Sequence, residues 1–239
     1  VVLKNEMGQT LGSFLIVQKS YNAQETVEFA DPAVKEACVA RFDKNGDGNL
    51  TYEEIAVVTD VNGLFDENRN ITSFDEFQYF TSVTVVPEEM FMECSSLESI
   101  VLPESVTVIE SSAFSGCRSL TSIDLHEGLL QIKSTAFRYS GLEGLLVIPE
   151  SIEYLGWGAF SDTGISAAQM LPEDVPGGRY DEDWPFDSGL TVYVPDQSVE
   201  KYRNSYSYKD YNIVPASLMD CSLRSEERRV GKECTAECR

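Results

Sequence analysis

One phrase of twelve residues, Asp43 to Glu54 (DKNGDGNLTYEE), gathers oxygen donors at spacings that suit a hard divalent cation. Counted from Asp43, the donors fall at Asn45, Asp47, Asn49, Thr51 and Glu54. Calcium takes roughly six to eight oxygens, and short carboxylates and amides on alternate residues can converge on one point. Gly48 permits the sharp turn, Asn49 offers its backbone carbonyl, Thr51 acts directly or through water, and Glu54 supplies both carboxylate oxygens. Leu50 is the apolar residue that would pin the loop to a core. The pattern is that of an EF-hand loop, and the expected cofactor is Ca2+ held by Asp43, Asn45, Asp47, Asn49, Thr51 and Glu54.

A second phrase, DENRNITSFDEF, starts the same way with Asp66, Asn68 and Asn70. Ile71 then stands where the turn glycine belongs, and Phe77 where the bidentate Glu belongs. It is predicted to open a repeat array rather than bind metal. A lone loop beside such an array suits a structural clip better than a sensor, which needs a helix pair with two states. An affinity of roughly 0.1–1 mM fits that role.

No catalytic constellation accompanies the loop. The one histidine, His126, is expected on a solvated surface turn. The chain has no serine nucleophile elbow, no phosphate-cradling glycine loop and no paired-cysteine zinc spacing before its last residues. Carboxylates are abundant, but acids scattered over repeats do not build a deep pocket, and Asp181 to Asp183 suit solvation. The chain is therefore expected not to be an enzyme. The net charge of -22 makes nucleic acid and anionic membrane poor partners. No apolar run approaches the roughly 20 residues that cross a bilayer.

The elements that position these residues follow from local signals. Asp31-Pro32 is a helix start, with Asp as cap and Pro in the first turn, and Val34, Ala37, Cys38 and Phe42 recur at helical spacing. The segment after the loop, YEEIAVVTD, is expected to form a shorter helix. Downstream, Phe91, Phe114, Phe137 and Phe160 recur at intervals of 23 residues. Val106, Leu129 and Ile152 share one offset, Ile109, Ile132 and Leu155 a second, and Leu102, Leu125 and Ile148 a third. A fixed period in the twenties predicts a solenoid, because one coil cannot bury its apolar face alone. Each LxxIxLP phrase is a short parallel strand with Leu97, Ile100 and Leu102 inward, and VxxI forms a second wall.

Strand alternation then leaves an outward row of Ser99 and Val101, Ser122 and Asp124, Leu145 and Val147, and Thr191 and Tyr193. This row is the expected partner-binding face. Cys94 and Cys117 occupy one offset in successive coils. A ladder of small buried residues and a disulfide between coils both fit, and Ser140 in the next coil favours packing. Residues 165–188, acidic and punctuated by Pro and Gly, are expected to be an excursion loop on the rim. They serve either as a tolerated insertion or as a binding loop carrying Tyr180, Trp184 and Phe186.

The phrase CSSLxSIxLPxSVxxIxxxAF, with NITSFDEFQYFTSVTVV, WGAF and VYVPDQSVEKYRN, resembles the BspA-type leucine-rich repeats of bacterial surface proteins, especially those of Bacteroidales. The likeness spans about residues 28 to 215. It implies an extracellular or cell-surface, adhesin-like protein; the expected partner is a host or bacterial surface protein, with a glycan as the further candidate. Bacterial members of the group also carry a similar loop just before their repeats.

The expected fold is a leucine-rich-repeat solenoid of stacked short parallel strands in a right-handed coil, with a small N-terminal EF-hand-like helical unit. Its parts are an unassigned segment at 1–27, the helix-loop-helix at 28–62, and the solenoid at 63–215 with a cap at 196–215. Residues 224–239 break in composition with the rest, and Arg224 to Cys234 reads as translated sequencing adaptor, so this tail is assigned to an artefact. The alternative function is an accessory carbohydrate-binding or dockerin-like module of a larger secreted enzyme system.

Overall fold

The computed structural model describes residues 2–4, 10–13, 24–65, 68–177 and 184–219. Strands β1 (Val2–Lys4) and β2 (Thr10–Ser13) pair antiparallel. Helix α1 (Pro32–Phe42) starts where Asp31 caps it, and α2 (Tyr52–Ala56) follows the acidic loop. Then come β3 (Ser73–Phe74), β4 (Val85–Val86), β5 (Ser99–Ile100), β6 (Val108–Ile109) and β7 (Gln131–Ile132). β8 (Glu143–Ile148), β9 (Tyr154–Leu155), β10 (Gly164–Met170) and β11 (Thr191–Val194) continue the array. Helix α3 (Val199–Asn204) and β12 (Asn212–Pro215) end it.

From β3 onward the chain winds as a parallel-strand β-solenoid of about six turns. One wall holds two sheets, β3-β5 and β8-β10-β11-β12, and the opposite wall holds β4-β6-β7-β9; every pair in them is parallel. The apolar offsets read from sequence all face inward: Leu97, Ile100, Leu102, Val106, Ile109, Leu129 and Ile132 are buried.

The third wall is made of turns. Glu89, Ser112, Thr135 and Gly158 all have φ between 55° and 59°, and so do Glu93, Tyr139 and Asp162, with Gly116 at 79°. These left-handed residues stand two before and two after each core Phe. The turn wall can therefore aim alternate N–H groups along the stack. Glu89, Phe91 and Glu93 donate to the carbonyls of Ser111, Ala113 and Ser115, and Ser112, Phe114 and Gly116 to those of Ser134, Ala136 and Arg138. Thr135, Phe137 and Tyr139 repeat the pattern onto Trp157, Ala159 and Ser161. Buried backbone groups need partners, and this one-way ladder supplies them without a strand.

Inside that wall the rings stack. Phe91 and Phe114 lie 5.0 Å apart, Phe114 and Phe137 5.0 Å, and Phe137 and Phe160 5.2 Å, at interplanar angles of 11°, 1° and 2°. The stack extends beyond the 23-residue period. Phe65 joins below Phe91 at 5.4 Å, and Phe186 joins above Phe160 at 5.5 Å. Tyr211 closes the top edge-on to Phe186 at 5.9 Å.

Phe186 corrects the expected loop at 165–188. Its first part is β10, a strand set between β8 and β11, with Ala168 and Met170 buried like Leu146 and Ile148. Gly177 also continues the opposite wall by bridging Tyr154. The described residues of the segment thus follow a further coil, with 26 residues from Phe160 to Phe186. The 196–215 segment, expected as a helical cap, likewise adds a strand, β12. Tyr180 and Asp181 to Asp183 lie outside the described residues, as does the 224–239 tail.

Candidate functional site

The acidic loop is wound tightly around its own backbone. Asp43 accepts from Gly46 N–H at 2.7 Å and Gly48 N–H at 2.8 Å. Asn45 Oδ1 accepts from Asp47 N–H, and Asp47 Oδ1 from Asn49 N–H, both at 2.8 Å. Gly46 and Gly48 take φ of 76° and 81°, the left-handed region that glycine reaches without strain. The Gly48 N–H first, then the neighbouring amides, hold the Asp43 carboxyl below the usual carboxylate range. Glu54 closes a capping box: its carboxylate accepts from Thr51 N–H and Oγ–H at 2.9 and 3.0 Å, while Thr51 Oγ accepts from Glu54 N–H. Among the described residues no three His, Cys, Asp or Glu side chains converge as a metal cluster. The donors that do line the loop are oxygens, which is calcium's preference. Leu50 is fully buried, and its carbonyl accepts from Val27 N–H at 2.7 Å, so the loop is anchored.

Two buried carboxylates join this unit to the first coil. Asp31 caps α1 with Oδ1 at 2.8 Å from Ala33 N–H, while Oδ2 accepts from Thr72 N–H at 2.5 Å and Thr72 Oγ–H at 2.8 Å. Glu76 Oε1 accepts from Ala30 N–H at 2.9 Å. Phe42 packs edge-on against Phe80 at 5.9 Å and Tyr52 against Tyr79 at 4.9 Å. The helices and the solenoid thus share one continuous core rather than meeting as separate bodies.

The expected binding row is split. Ser99 lies in β5 opposite Ser73, and Val101 is 41% exposed just beyond it. Ser122 and Asp124 are exposed on an extended stretch outside any sheet, so the wall is interrupted there. Thr72, Ser73, Glu98, Ser99, Ser119 and Thr121 line a shallow open groove beside that break. Further along, the sheet does gather its residues. Leu145 and Thr191 flank Ala167, Val147 and Tyr193 flank Gln169, and Asn212 and Val214 extend the two rows. Gln169 was missed because 165–188 was expected to be a loop, and Asn212 and Val214 because 196–215 was expected to be a cap; Ala167, between Leu145 and Thr191, is itself buried. The alternation of Ala168 and Met170 ahead of Leu171-Pro172 was the available signal.

His126 is another correction. Its side chain is only 9% exposed; Nδ1 accepts from Gly128 N–H at 3.1 Å, and Nε2 is buried without a partner. It fastens a turn, with Glu104 Oε2 3.7 Å from Nδ1. Cys38, Cys94 and Cys117 are free buried thiols. Cys94 and Cys117 donate to the carbonyls of Asn68 and Phe91 at 3.3 and 3.1 Å, so the ladder is one of packing. Burial pushes the Cys94 thiol up to about 12, which leaves it unreactive. Cys221 lies outside the described residues.

Comparison with known families fits these coils. Residues 62–175 match the family model for the BspA type leucine rich repeat region, in six copies. The chain is thus similar to BspA-type leucine-rich repeats over just under half of its length. No curated protein matches the chain. Among the described residues no helix is long and apolar enough to cross a membrane.

The clamp of Asp31 onto Thr72 is directly testable. Burial pushes the Asp31 carboxyl up, but the hydrogen bonds from Thr72, Ala33 and Val34 outweigh it, and the net shift is downward. Its contribution is therefore complete above the unfolded value of about 3.9 and is lost as pH falls through the folded value. Asp31→Ala is expected to lower unfolding free energy by about 1–3 kcal/mol at neutral pH in a denaturant titration. Asp31→Asn is expected to flatten the loss of stability below about pH 4.

Proposed function

We propose that this chain is a non-enzymatic, adhesin-like binding protein, displayed on a cell surface or secreted, that recognises a host or bacterial surface protein. Proteins with BspA-type repeats are typically surface-displayed or secreted, and leucine-rich-repeat domains typically bind proteins. Both generalities support the reading. The observation that carries it is the sheet β8-β10-β11-β12, whose continuous parallel pairing aligns Leu145 with Thr191 across Ala167 and Val147 with Tyr193 across Gln169. A rigid face loses little freedom on binding, which favours affinity. Val101, at 41% exposure, adds an apolar residue on the same wall beyond the break.

The acidic loop takes a supporting role in this reading. Asp43, Asn45, Asp47, Thr51 and Glu54, with the Asn49 carbonyl, would hold one calcium ion. The ion would neutralise part of a chain of net charge -22 and stiffen the unit that closes the solenoid's first coil.

Replacing Val101, Val147 and Tyr193 together with Asp is expected to abolish capture by immobilised surface proteins while leaving the melting temperature within a few degrees. Undiminished capture would refute the face. Separately, calcium at about a hundredfold excess over its dissociation constant is expected to add about 2.7 kcal/mol of stability. Asp43→Ala with Glu54→Ala is expected to remove that gain. A wild-type protein whose unfolding is indifferent to calcium and chelator would contradict the site.

A further inference from the structure

The chain has two tryptophans, and both sit exposed on the turn wall, away from the sheet face discussed above. Trp157 and Trp184 are 46% and 38% exposed, and Tyr139 nearby is 48% exposed. Trp157 and Trp184 occupy the same place in neighbouring coils, since the Thr135 N–H donates to the Trp157 carbonyl and the Gly158 N–H to the Trp184 carbonyl. Burying one large aromatic ring is the ordinary outcome, and leaving three in a cluster at the surface of a folded chain marks an interaction site.

We propose that this wall binds a neutral oligosaccharide chain whose rings lie against Trp157 and Trp184. Four observations select that occupant. First, the wall offers no strand edge, because its alternate N–H groups are spent in the ladder between coils, so an extended peptide cannot add by backbone pairing. Second, the turn wall around Trp157 carries hydroxyls: Ser111, Ser112, Ser134 and Thr135 in the two coils below it and Ser161 in its own coil are all half-buried. Third, the described charge beside Trp157 leans negative, since the Asp187 carboxylate accepts from Asp162 N–H next to the paired Arg138. Arg138 lies 2.9 Å from Asp162, with its guanidinium 4.7 Å over the Tyr139 ring and 5.7 Å from the centre of the Trp157 ring. Among the described residues the Arg138 cation is thus paired and not free for an acidic sugar, while the planar Arg and Asp groups can meet hydroxyls.

Fourth, the platform is fixed in advance. A Cβ on Gly156 would stand 2.4 Å from Ser134 N, so the backbone beside Trp157 is pressed onto the coil below. Trp157 and Trp184 thus stand one coil apart along the stack, as a sugar chain repeats its apolar ring faces.

The test uses the full chain in native affinity electrophoresis through gels containing hydroxyethylcellulose, galactomannan or yeast mannan, with heparin as the acidic comparison. Retardation by at least one neutral polysaccharide is expected, together with a shift in tryptophan emission, which needs no variant. Trp157→Ala with Trp184→Ala is expected to weaken binding by about tenfold or more, with an unchanged melting temperature, whereas Val101→Asp on the sheet face leaves it intact. Four results would overturn the proposal: no retardation by any neutral polysaccharide, retardation without an emission change, retardation by heparin alone, or full retention by the double variant. Capture on a gelatin-coated surface that is lost in the double variant, with no polysaccharide bound, would make the wall a protein interface and would also overturn it.

Discussion

Everything in this molecule depends on a coil being unable to bury its own apolar face. Each turn of the solenoid leaves a flat apolar layer that only another turn can cover. The stack of Phe65, Phe91, Phe114, Phe137, Phe160 and Phe186 is the clearest product of that constraint. Aromatic pairs add about 0.5–1.5 kcal/mol beyond the area they bury. The rings also fix register, because a coil displaced by one residue would lose both its ring contact and its turn-wall hydrogen bonds.

Such a stack must be closed at both ends. At the start, α1 and α2 cover the first coil, and Asp31 and Glu76 bind backbone groups across the join. At the finish, the Asp187 carboxylate accepts from Asp162 N–H, and the Tyr211 hydroxyl both accepts from Phe186 N–H and donates to the Phe186 carbonyl. Arg203 Nη2 donates to the Ile213 carbonyl, and Pro215 ends β12. An edge strand that is short, ends in Pro and has its carbonyl occupied by Arg is poorly suited to pairing with another chain.

The regular part of this architecture was legible because strict spacing repeats chemistry at a fixed offset. Phe91 to Phe160, the inward Leu and Ile positions and the Asp31-Pro32 helix start all reappear in the structure as read. What escaped was irregular or long-range. Phe65 and Phe186 stand 26 residues from their neighbours and Tyr211 stands 25, so the 23-residue period passed over them. The rings still stack despite the extra residues in those coils. The tie between Asp31 and Thr72 spans 41 residues, and no local pattern announces it. The His126 environment depends on Gly128 and the coil beside it, which the surrounding Leu-His-Glu-Gly did not reveal. The tryptophan pair became visible only when the lengthened coil placed Trp184 beside Trp157.

The central claim is that the ring stack couples all the coils, with their helical cap, into one cooperative unit. Native-state hydrogen exchange on wild type and Phe137→Ala tests it most directly. Removing a buried Phe side chain is expected to cost about 3–5 kcal/mol. If the claim holds, protection falls by a similar amount in the coils on both sides of Phe137 and in α1. Loss confined to the residues around position 137, with α1 and β12 still protected as in wild type, would contradict it.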